Sequence, residues 1–168
     1  MAKKKLTDWK NTQRVLEEFG QRLIDTYKRE LGSRGKIASG KLVEDLRYDV
    51  KTGDWHASVT LHLADYWKYV EYGRRAGKFP PIDAIRKWIE VKPILPRPNS
   101  NGRLPTTNQL VYLIGRKIAQ KGIPPTPALA LSVEGVYQQM LVAISNALSK
   151  DLGERVAQVF TYDGSFIE

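Results

Sequence analysis

LRYDVKTGDWHASVTLHL, residues 46–63, is the stretch that decides the fold class. Apolar residues alternate with polar ones in two runs, Leu46 to Val50 and Trp55 to Leu63, which is the period of a half-buried strand. Thr52, Gly53 and Asp54 lie between the runs and suit a hairpin connection. The stretch predicts an antiparallel β-hairpin, which must pack on helices or pair with another strand because a lone hairpin is marginally stable.

Helical patterns flank this hairpin on both sides. Apolar residues recur at three- and four-residue spacing and predict helices over about Asp8–Leu31, Thr107–Lys121 and Pro127–Leu152, with another that begins at Pro80–Pro81. Gly153 is expected to break or kink the last of these helices. The pattern does not determine the secondary structure of the final segment, Val156–Tyr162. The sequence therefore predicts an α+β fold with a long N-terminal helix, a small antiparallel hairpin or sheet, and three further helices packed on it.

Three smaller features complete the predicted fold. Ser39 is expected to cap a short helical turn that runs through Leu46. The segment Tyr66–Tyr72 is rich in aromatic and β-branched residues and is a candidate third strand. The helix after Pro81 is expected to bury one stripe of apolar residues, consisting of Ile82, Ile85, Trp88 and Ile89.

Length and composition fit one domain over residues 1–168. Within it the sequence suggests a basic N-terminal arm (1–6), a proline-rich loop (93–106) and an acidic C-terminal tail (153–168). Without cysteine, disulfides, thiolate catalysis and cysteine-ligated zinc are excluded. No apolar run approaches the roughly 18 residues that cross a bilayer, so no membrane partner is expected.

The formal charge of +9 is unevenly spread along the chain. From Asp151 onward there are four acidic residues and one basic residue, so this end carries −3 and the body before it +12. A basic body favours contact with nucleic acid or with acidic protein surfaces. An acidic tail on a basic body also suits head-to-tail packing between identical subunits.

One motif suggests nucleotide binding. GKIASGKL, residues 35–42, has the glycine and lysine spacing of a phosphate-binding loop. However, Leu42 stands where such a loop needs a hydroxyl for magnesium, and a helix pattern, not a buried strand, precedes it. We interpret the segment as a flexible basic loop and keep an NTPase as the weakest of three hypotheses.

The remaining candidates for chemistry are also weak. His56 and His62 are the only histidines, and on one strand they would lie about 20 Å apart, too far to share a metal ion. Five carboxylates are scattered among basic residues and are interpreted as solvated charge partners, namely Glu44, Asp45, Asp49, Glu71 and Asp83. The sequence therefore predicts no enzyme, and no catalytic, cofactor-binding or metal-binding residues.

Two basic groups are candidates for contact with DNA phosphates. Arg74, Arg75 and Lys78 lie on a loop flanked by Gly73 and Gly77, and a second group, Arg116, Lys117 and Lys121, lies on the polar face of a later helix. The alternative is a basic patch that is solvated or faces protein, because no known DNA-reading motif accompanies it.

Three segments resemble, in order and rough spacing, the HK97-type tail-completion or head–tail neck proteins of tailed phages. They are YWKYVEYG (66–73), KFPPIDAIRKW (78–88) and LIGRKIAQKGIPPTP (113–127). In that family a strand end of the type Y-x-x-Y-V-E-x-G leads to a helix that begins at Pro-Pro, and a P-x-P turn later leads into the final helix. The chain departs from the family at Ala128, where a Phe is common, and in its long proline-rich loop.

The resemblance implies a non-catalytic structural protein of the virion, assembled in the host cytoplasm, that forms a homo-oligomeric ring at the head–tail junction. Its partners would be the portal or connector, the tail proteins, and genomic DNA passing through the ring. The alternative is a free basic DNA-binding protein of a phage or prophage. The residues expected at protein interfaces are Tyr69, Glu71, Tyr72, Arg74, Arg75, Lys78, Pro96 and Pro98.

Overall fold

A computed structural model describes residues 9–37, 40–53, 56–92, 94–98 and 100–162, the last four by their backbone alone. This part of the chain is α+β, as the sequence predicts. It contains, in chain order, α1 (Lys10–Ser33), α2 (Lys41–Glu44), β1 (Arg47–Thr52), β2 (Ala57–His62), α3 (Trp67–Glu71), α4 (Ile82–Val91), α5 (Thr107–Lys121) and α6 (Ala128–Tyr162).

The predicted hairpin is present. Strands β1 and β2 pair antiparallel, with a register that runs from Arg47 opposite His62 to Thr52 opposite Ala57. The Gly53 amide donates to the His56 carbonyl at 2.7 Å, so the connection lies between residues 53 and 56, slightly later than predicted. Asp54 and Trp55, which the sequence placed in the connection and at the start of the second strand, lie outside the described residues.

The chain divides into two compact units. Unit 1 consists of Met1–Lys28, Leu46–His62 and Ala130–Glu168, and unit 2 of Arg29–Asp45 and Leu63–Leu129. The prediction of one domain over 1–168 stays a prediction.

In unit 1, α1 and α6 run antiparallel. The start of α1 meets the later part of α6, where Asp151 contacts Thr12, and further along α1 the Arg22 guanidinium donates to Gln139 at 3.4 Å. The hairpin packs on the same helix, because a Cβ added at Gly20 of α1 would overlap the Tyr48 ring of β1, and just before the helix the Trp9 indole donates to the Gly53 carbonyl at 3.0 Å. The buried apolar side chains of unit 1 are Leu16, Leu23, Ile24, Tyr27, Leu46 and Ala147.

Asp151 caps the first turn of α1 from α6. One of its carboxylate oxygens accepts from the Asn11 amide (3.0 Å) and side chain (2.7 Å), and the other from the Thr12 amide (2.8 Å) and hydroxyl (2.7 Å). Burial by itself raises the pKa of a carboxyl group, but these four hydrogen bonds outweigh it and hold the pKa of Asp151 below its ordinary value of 3.8. A negative charge here also complements the positive end of the helix dipole.

The prediction that Gly153 breaks the last helix is wrong. Helix α6 continues through Gly153 to Tyr162. Glycine weakens a helix by only about 1 kcal/mol relative to alanine, and contacts on both sides of it hold this one together. Asp151 binds the start of α1 before it, and after it the Arg155 guanidinium lies 4.3 Å from the centroid of the Trp9 ring.

Replacement of Gly153 by alanine should therefore stabilise the protein by about 0.5–1 kcal/mol, because alanine loses less backbone entropy in a helix. No atom lies within 4 Å of the added Cβ. Urea unfolding followed by circular dichroism measures the effect, and Gly135→Ala, at an equally open position in α6, is the matched control. If Gly153→Ala leaves stability unchanged while Gly135→Ala raises it, the helix is interrupted at Gly153 in solution.

In unit 2, the segment predicted as a third strand is the short helix α3. The Tyr69 amide donates to the Tyr66 carbonyl at 3.0 Å and the Tyr72 amide to the Lys68 carbonyl at 2.9 Å. These local hydrogen bonds use backbone groups that a strand would pair with a neighbouring strand. The helical conformation therefore overrides the β-propensity of the aromatic and β-branched residues. The family pattern of a strand end in this segment is likewise not followed.

Two further predictions in unit 2 need correction. Gly40, with φ 80°, is the N-cap of α2, and Ser39, the predicted cap, lies outside the described residues. In α4 the side chain of Ile85 is buried, but Ile82 is 53% exposed and Trp88 41% exposed. Apolar spacing identified the inward face of α4, but it does not tell how wide a stripe the neighbouring elements cover.

Candidate interaction surfaces

The segments that carry the resemblance meet in unit 2. Arg74 and Ile123 form an isolated antiparallel bridge, with backbone hydrogen bonds of 2.9 and 2.8 Å. Next to it, the Thr126 amide donates to the Val70 carbonyl at 2.9 Å. The end of α3 is therefore tied by its backbone to the proline-rich turn that leads into α6.

Two glycines make this close approach possible. Gly73 has φ +69°, and an added Cβ would stand closer than 3.0 Å to the backbone of Ile123 and Pro125. Gly122 has φ +71°, and its Cβ would overlap the backbone of Arg74. Both positions need glycine for a left-handed conformation and for space.

Glu71 holds the start of α6. Its side chain is 5% exposed, and its carboxylate accepts from the Leu129 amide at 2.9 Å, in the first turn of that helix. A carboxylate in this place compensates an unpaired amide and the helix dipole. Glu71 was predicted to be solvated and available at an interface, and the structure corrects this, because its side chain faces the interior.

An aromatic pair lies beside this junction. Gly115 leaves room for the Phe79 ring, since an added Cβ would overlap that ring. Phe79 in turn stacks on Tyr112, with ring centroids 6.1 Å apart and an interplanar angle of 27°. The Arg116 guanidinium lies 5.9 Å from the centroid of the Tyr112 ring, and both aromatic side chains are exposed.

The structure brings the two predicted basic groups together. The Gly77 amide donates to the Ala119 carbonyl at 2.7 Å, which fixes the glycine-flanked loop to the last turn of α5. The loop is closed by a hydrogen bond of 2.9 Å from the Arg74 guanidinium to the Lys78 carbonyl. We call the joined set the basic surface; it consists of Arg74, Arg75, Lys78, Arg116, Lys117 and Lys121.

The net charge of the chain resides in unit 2. This unit holds 16 of the 27 basic and 7 of the 18 acidic residues, so it carries the formal charge of +9, whereas unit 1 has 11 of each. The division between a basic body and an acidic tail is therefore less informative than the division between the two units. From Val91 to Val133 the sequence has no acidic residue, so no carboxylate of this stretch offsets the basic residues of α5.

Large apolar side chains are exposed around the basic surface and in the proline-rich loop. Tyr69 and Tyr72, both predicted interface residues, are 62% and 69% exposed. In the loop, Leu95 is 94% exposed and Leu104 is 62% exposed, and Pro98 is also exposed whereas Pro96 is half-buried. Sequence reasoning missed these two leucines and the Phe79–Tyr112 pair. The exposure of the two leucines could have been inferred from their position in a loop of polar residues and prolines.

Helix α6 exposes a further apolar face. By length and composition alone, Ala128–Gln158 could cross a membrane, whereas the expectation of no membrane partner stays a prediction. Polar residues interrupt each apolar run, so a search for unbroken runs missed it. Only 11% of its most apolar window is buried. The exposed face includes Val133, Tyr137, Leu141, Val142, Leu152 and Val156.

An apolar cleft of about 370 Å³ lies in unit 2, between the start of α2 and one side of α4. It is lined by Ile37, Leu42, Val43, Tyr66, Trp88 and Val91, with Lys36, Lys87 and Gly40. Burial, followed by the nearby charges of Asp45 and Glu44, raises the pKa of the Tyr66 hydroxyl. Two of the residues that line the cleft are basic, Lys36 and Lys87.

The motifs considered for chemistry lie on the loop after α1 and on the β-hairpin. The segment 35–42 follows helix α1, not a strand, and its Ala38 and Ser39 lie outside the described residues. His56 lies in the hairpin connection, and His62 contacts Asp49 at 2.7 Å across the two strands. Among the residues described, no group of three or more His, Asp or Glu side chains could hold a metal ion.

Comparisons with protein-family models, with curated proteins and with solved structures found no match to this chain. The resemblance to the head–tail neck family therefore remains an expectation from the three sequence segments.

Proposed function

We propose that this protein is a non-catalytic structural subunit of a tailed-phage virion, which forms a homo-oligomeric ring at the head–tail junction and joins the portal or connector to the tail. Its role is to bind the adjacent proteins of the virion. It is assembled into the virion in the host cytoplasm. Two of the segments with the resemblance, 66–73 and 113–127, are joined by the hydrogen bond from the Thr126 amide to the Val70 carbonyl, and Phe79 of the third segment packs against Gly115.

The observation that carries the proposal is the amount of exposed apolar surface. Helix α6, the Leu95–Leu104 part of the proline-rich loop, and Tyr69 and Tyr72 all expose large apolar side chains. Soluble monomers seldom leave extended apolar patches uncovered, and such patches mark contacts with other proteins or with membranes. A subunit that is covered on several sides by neighbours needs several such surfaces.

Deletion of the gene in a phage that carries it tests this proposal. We expect filled heads without attached tails in electron micrographs, with the chain present in purified wild-type particles by mass spectrometry. A plasmid copy of the gene should restore tailed particles, which controls for effects on neighbouring genes. Normally tailed particles after deletion, or absence of the chain from mature particles, would contradict the proposal.

DNA binding is the second candidate function, and the basic surface favours it. Two basic segments are joined by backbone hydrogen bonds in a unit of charge +9, beside exposed aromatic rings that could stack on bases. As a free DNA-binding protein, the chain would bind duplex DNA tightly by itself. As a ring subunit, it would use the same surface only where DNA passes.

Neutralising part of the basic surface should weaken DNA binding and its salt dependence. In the triple variant Arg75→Gln, Lys78→Gln, Lys121→Gln, we expect the slope of log K against log salt to fall by about 2.7, because each phosphate contact contributes about 0.9. Fluorescence anisotropy with labelled duplex DNA measures this slope. The control neutralises three exposed basic residues of unit 1, Arg14, Arg47 and Lys51. Equal slopes for both variants would show that this surface does not bind DNA.

A further inference from the structure

We propose that residues 163–168 of one copy, the segment DGSFIE, dock in the apolar cleft of unit 2 of a neighbouring copy, and that this contact is the repeating interface between subunits. The inference rests on the proposed ring for its biological setting, although the contact itself can be tested with the purified chain.

The cleft has the dimensions and the chemistry of a small peptide site. Its volume of about 370 Å³ is near the lower end of the roughly 300–1,000 Å³ range of binding pockets. Such a volume suits one or two apolar side chains and not a folded element. Trp88, which is 41% exposed, gives the cleft a large aromatic wall. Aromatic side chains of this kind often contribute most to binding energy.

The segment has matching chemistry. It follows directly after α6 and places the apolar pair Phe166 and Ile167 between two acidic residues, Asp163 and Glu168. Fully extended, six residues span about 20 Å, so the segment can reach well beyond the end of its helix. We expect the apolar pair to fill the cleft and the two acids to pair with Lys36 and Lys87, which line it.

The distribution of charge favours a contact between copies. The cleft belongs to unit 2, which carries the formal charge of +9, and the segment contributes two negative charges and no positive one. A contact that joins two different patches, one on each subunit, is heterologous, and its repetition closes a ring when the rotation between subunits divides a full turn and otherwise gives an open filament. The cleft and the segment are two such patches on one chain.

The test mixes two variants that each lack one half of the contact. The segment variant is Phe166→Ser with Ile167→Ser, and the cleft variant is Lys87→Glu with Val91→Asp, both exposed positions on α4. By analytical ultracentrifugation of the full chain, we expect each variant alone to associate at least about tenfold more weakly than wild type, because burial of the apolar pair is lost. An equimolar mixture should form heterodimers and no larger species, since one intact segment and one intact cleft remain.

A charge exchange provides a second measurement that does not alter the apolar pair. Lys36→Glu with Lys87→Glu should weaken association, and adding Asp163→Lys with Glu168→Lys to that variant should restore it. The same charge change at Lys117 and Lys121, which lie on α5 outside the cleft, is the control and should leave association unchanged.

Three results would overturn the inference: a wild-type chain that stays monomeric at its highest soluble concentration, a segment variant that associates as well as wild type, or a mixture without heterodimers. Association that survives both variants would point to another face, such as the exposed side of α6. None of these results bears on the presence of the chain in particles, so the inference and the proposed function can fail separately.

Discussion

Replacement of Asp151 by alanine is expected to lower the free energy of unfolding by about 3 kcal/mol. The change removes a buried carboxylate that accepts four hydrogen bonds from Asn11 and Thr12, and it leaves the Thr12 amide and hydroxyl without this acceptor. Hydrogen bonds to a charged group contribute about 1.5–3 kcal/mol, but four bonds to one carboxylate do not add in full, because the free-energy cost of burying its charge is removed with it. Urea unfolding at neutral pH measures the difference.

The control for Asp151→Ala is Glu154→Ala, which removes an exposed acid from the same helix and should change stability by less than about 0.5 kcal/mol. Equal stability of the two variants would mean that Asp151 does not cap α1 in solution.

The same carboxylate predicts a dependence on pH. Because the pKa of Asp151 is lower in the folded protein than its ordinary value of 3.8, the unfolded chain takes up this proton first as the pH falls. The stabilisation is therefore complete above that ordinary value and is lost as the pH falls through the lower, folded value. We expect the difference in free energy of unfolding between wild type and Asp151→Ala to be large at pH 7 and to shrink below about pH 4. A difference that stays constant down to pH 2 would contradict the assignment.

Replacement of Gly73 by alanine is expected to cost at least about 3 kcal/mol. A side chain is disfavoured at φ +69° by about 1 kcal/mol, and the added Cβ would also overlap the backbone of Ile123 and Pro125. Backbone atoms cannot move aside as a flexible side chain can, so the bridge between Arg74 and Ile123 should open.

Gly35 provides a matched control for this prediction. It has a similar φ of +61°, but no atom lies within 4 Å of its added Cβ, so Gly35→Ala should show only the conformational cost of about 1 kcal/mol. Thermal and urea unfolding of both variants separate steric overlap from backbone strain. If the two variants lose the same stability, the close approach of the two segments at Gly73 does not exist in solution.

Those parts of the fold that depend on residues close together in the sequence could be predicted from it. Helix α5 has the predicted bounds because its signals are local. The Thr106 hydroxyl accepts from the Gln109 amide, the Gln109 side chain accepts from the Thr106 amide, and Gly122 adopts a positive φ after the last turn. The hairpin was predictable for the same reason, since alternation of apolar residues is visible within each strand.

The predictions that failed concern residues whose conformation or burial depends on contacts with residues distant in the sequence. Gly153 stays helical because Asp151 and Arg155 beside it contact residues near the start of α1. Glu71 is buried because Leu129, 58 residues later, presents an amide to it. No pattern within a short window carries this information.

The candidate surfaces were predicted in part. Both basic groups were identified from their composition, but their union depends on a hydrogen bond between Gly77 and Ala119 that spacing does not reveal. The cleft and the exposed leucines of the proline-rich loop required the fold itself.

The bond between Asp151 and Thr12 also fixes an order of events during translation. The two residues are separated by 139 positions, so a growing chain cannot cap the first turn of α1 until Asp151 has been synthesised. All of unit 2, which ends at Leu129, emerges before that moment. We therefore expect unit 2 of a nascent chain to fold first, with the first turn of α1 among the last parts to reach its native state.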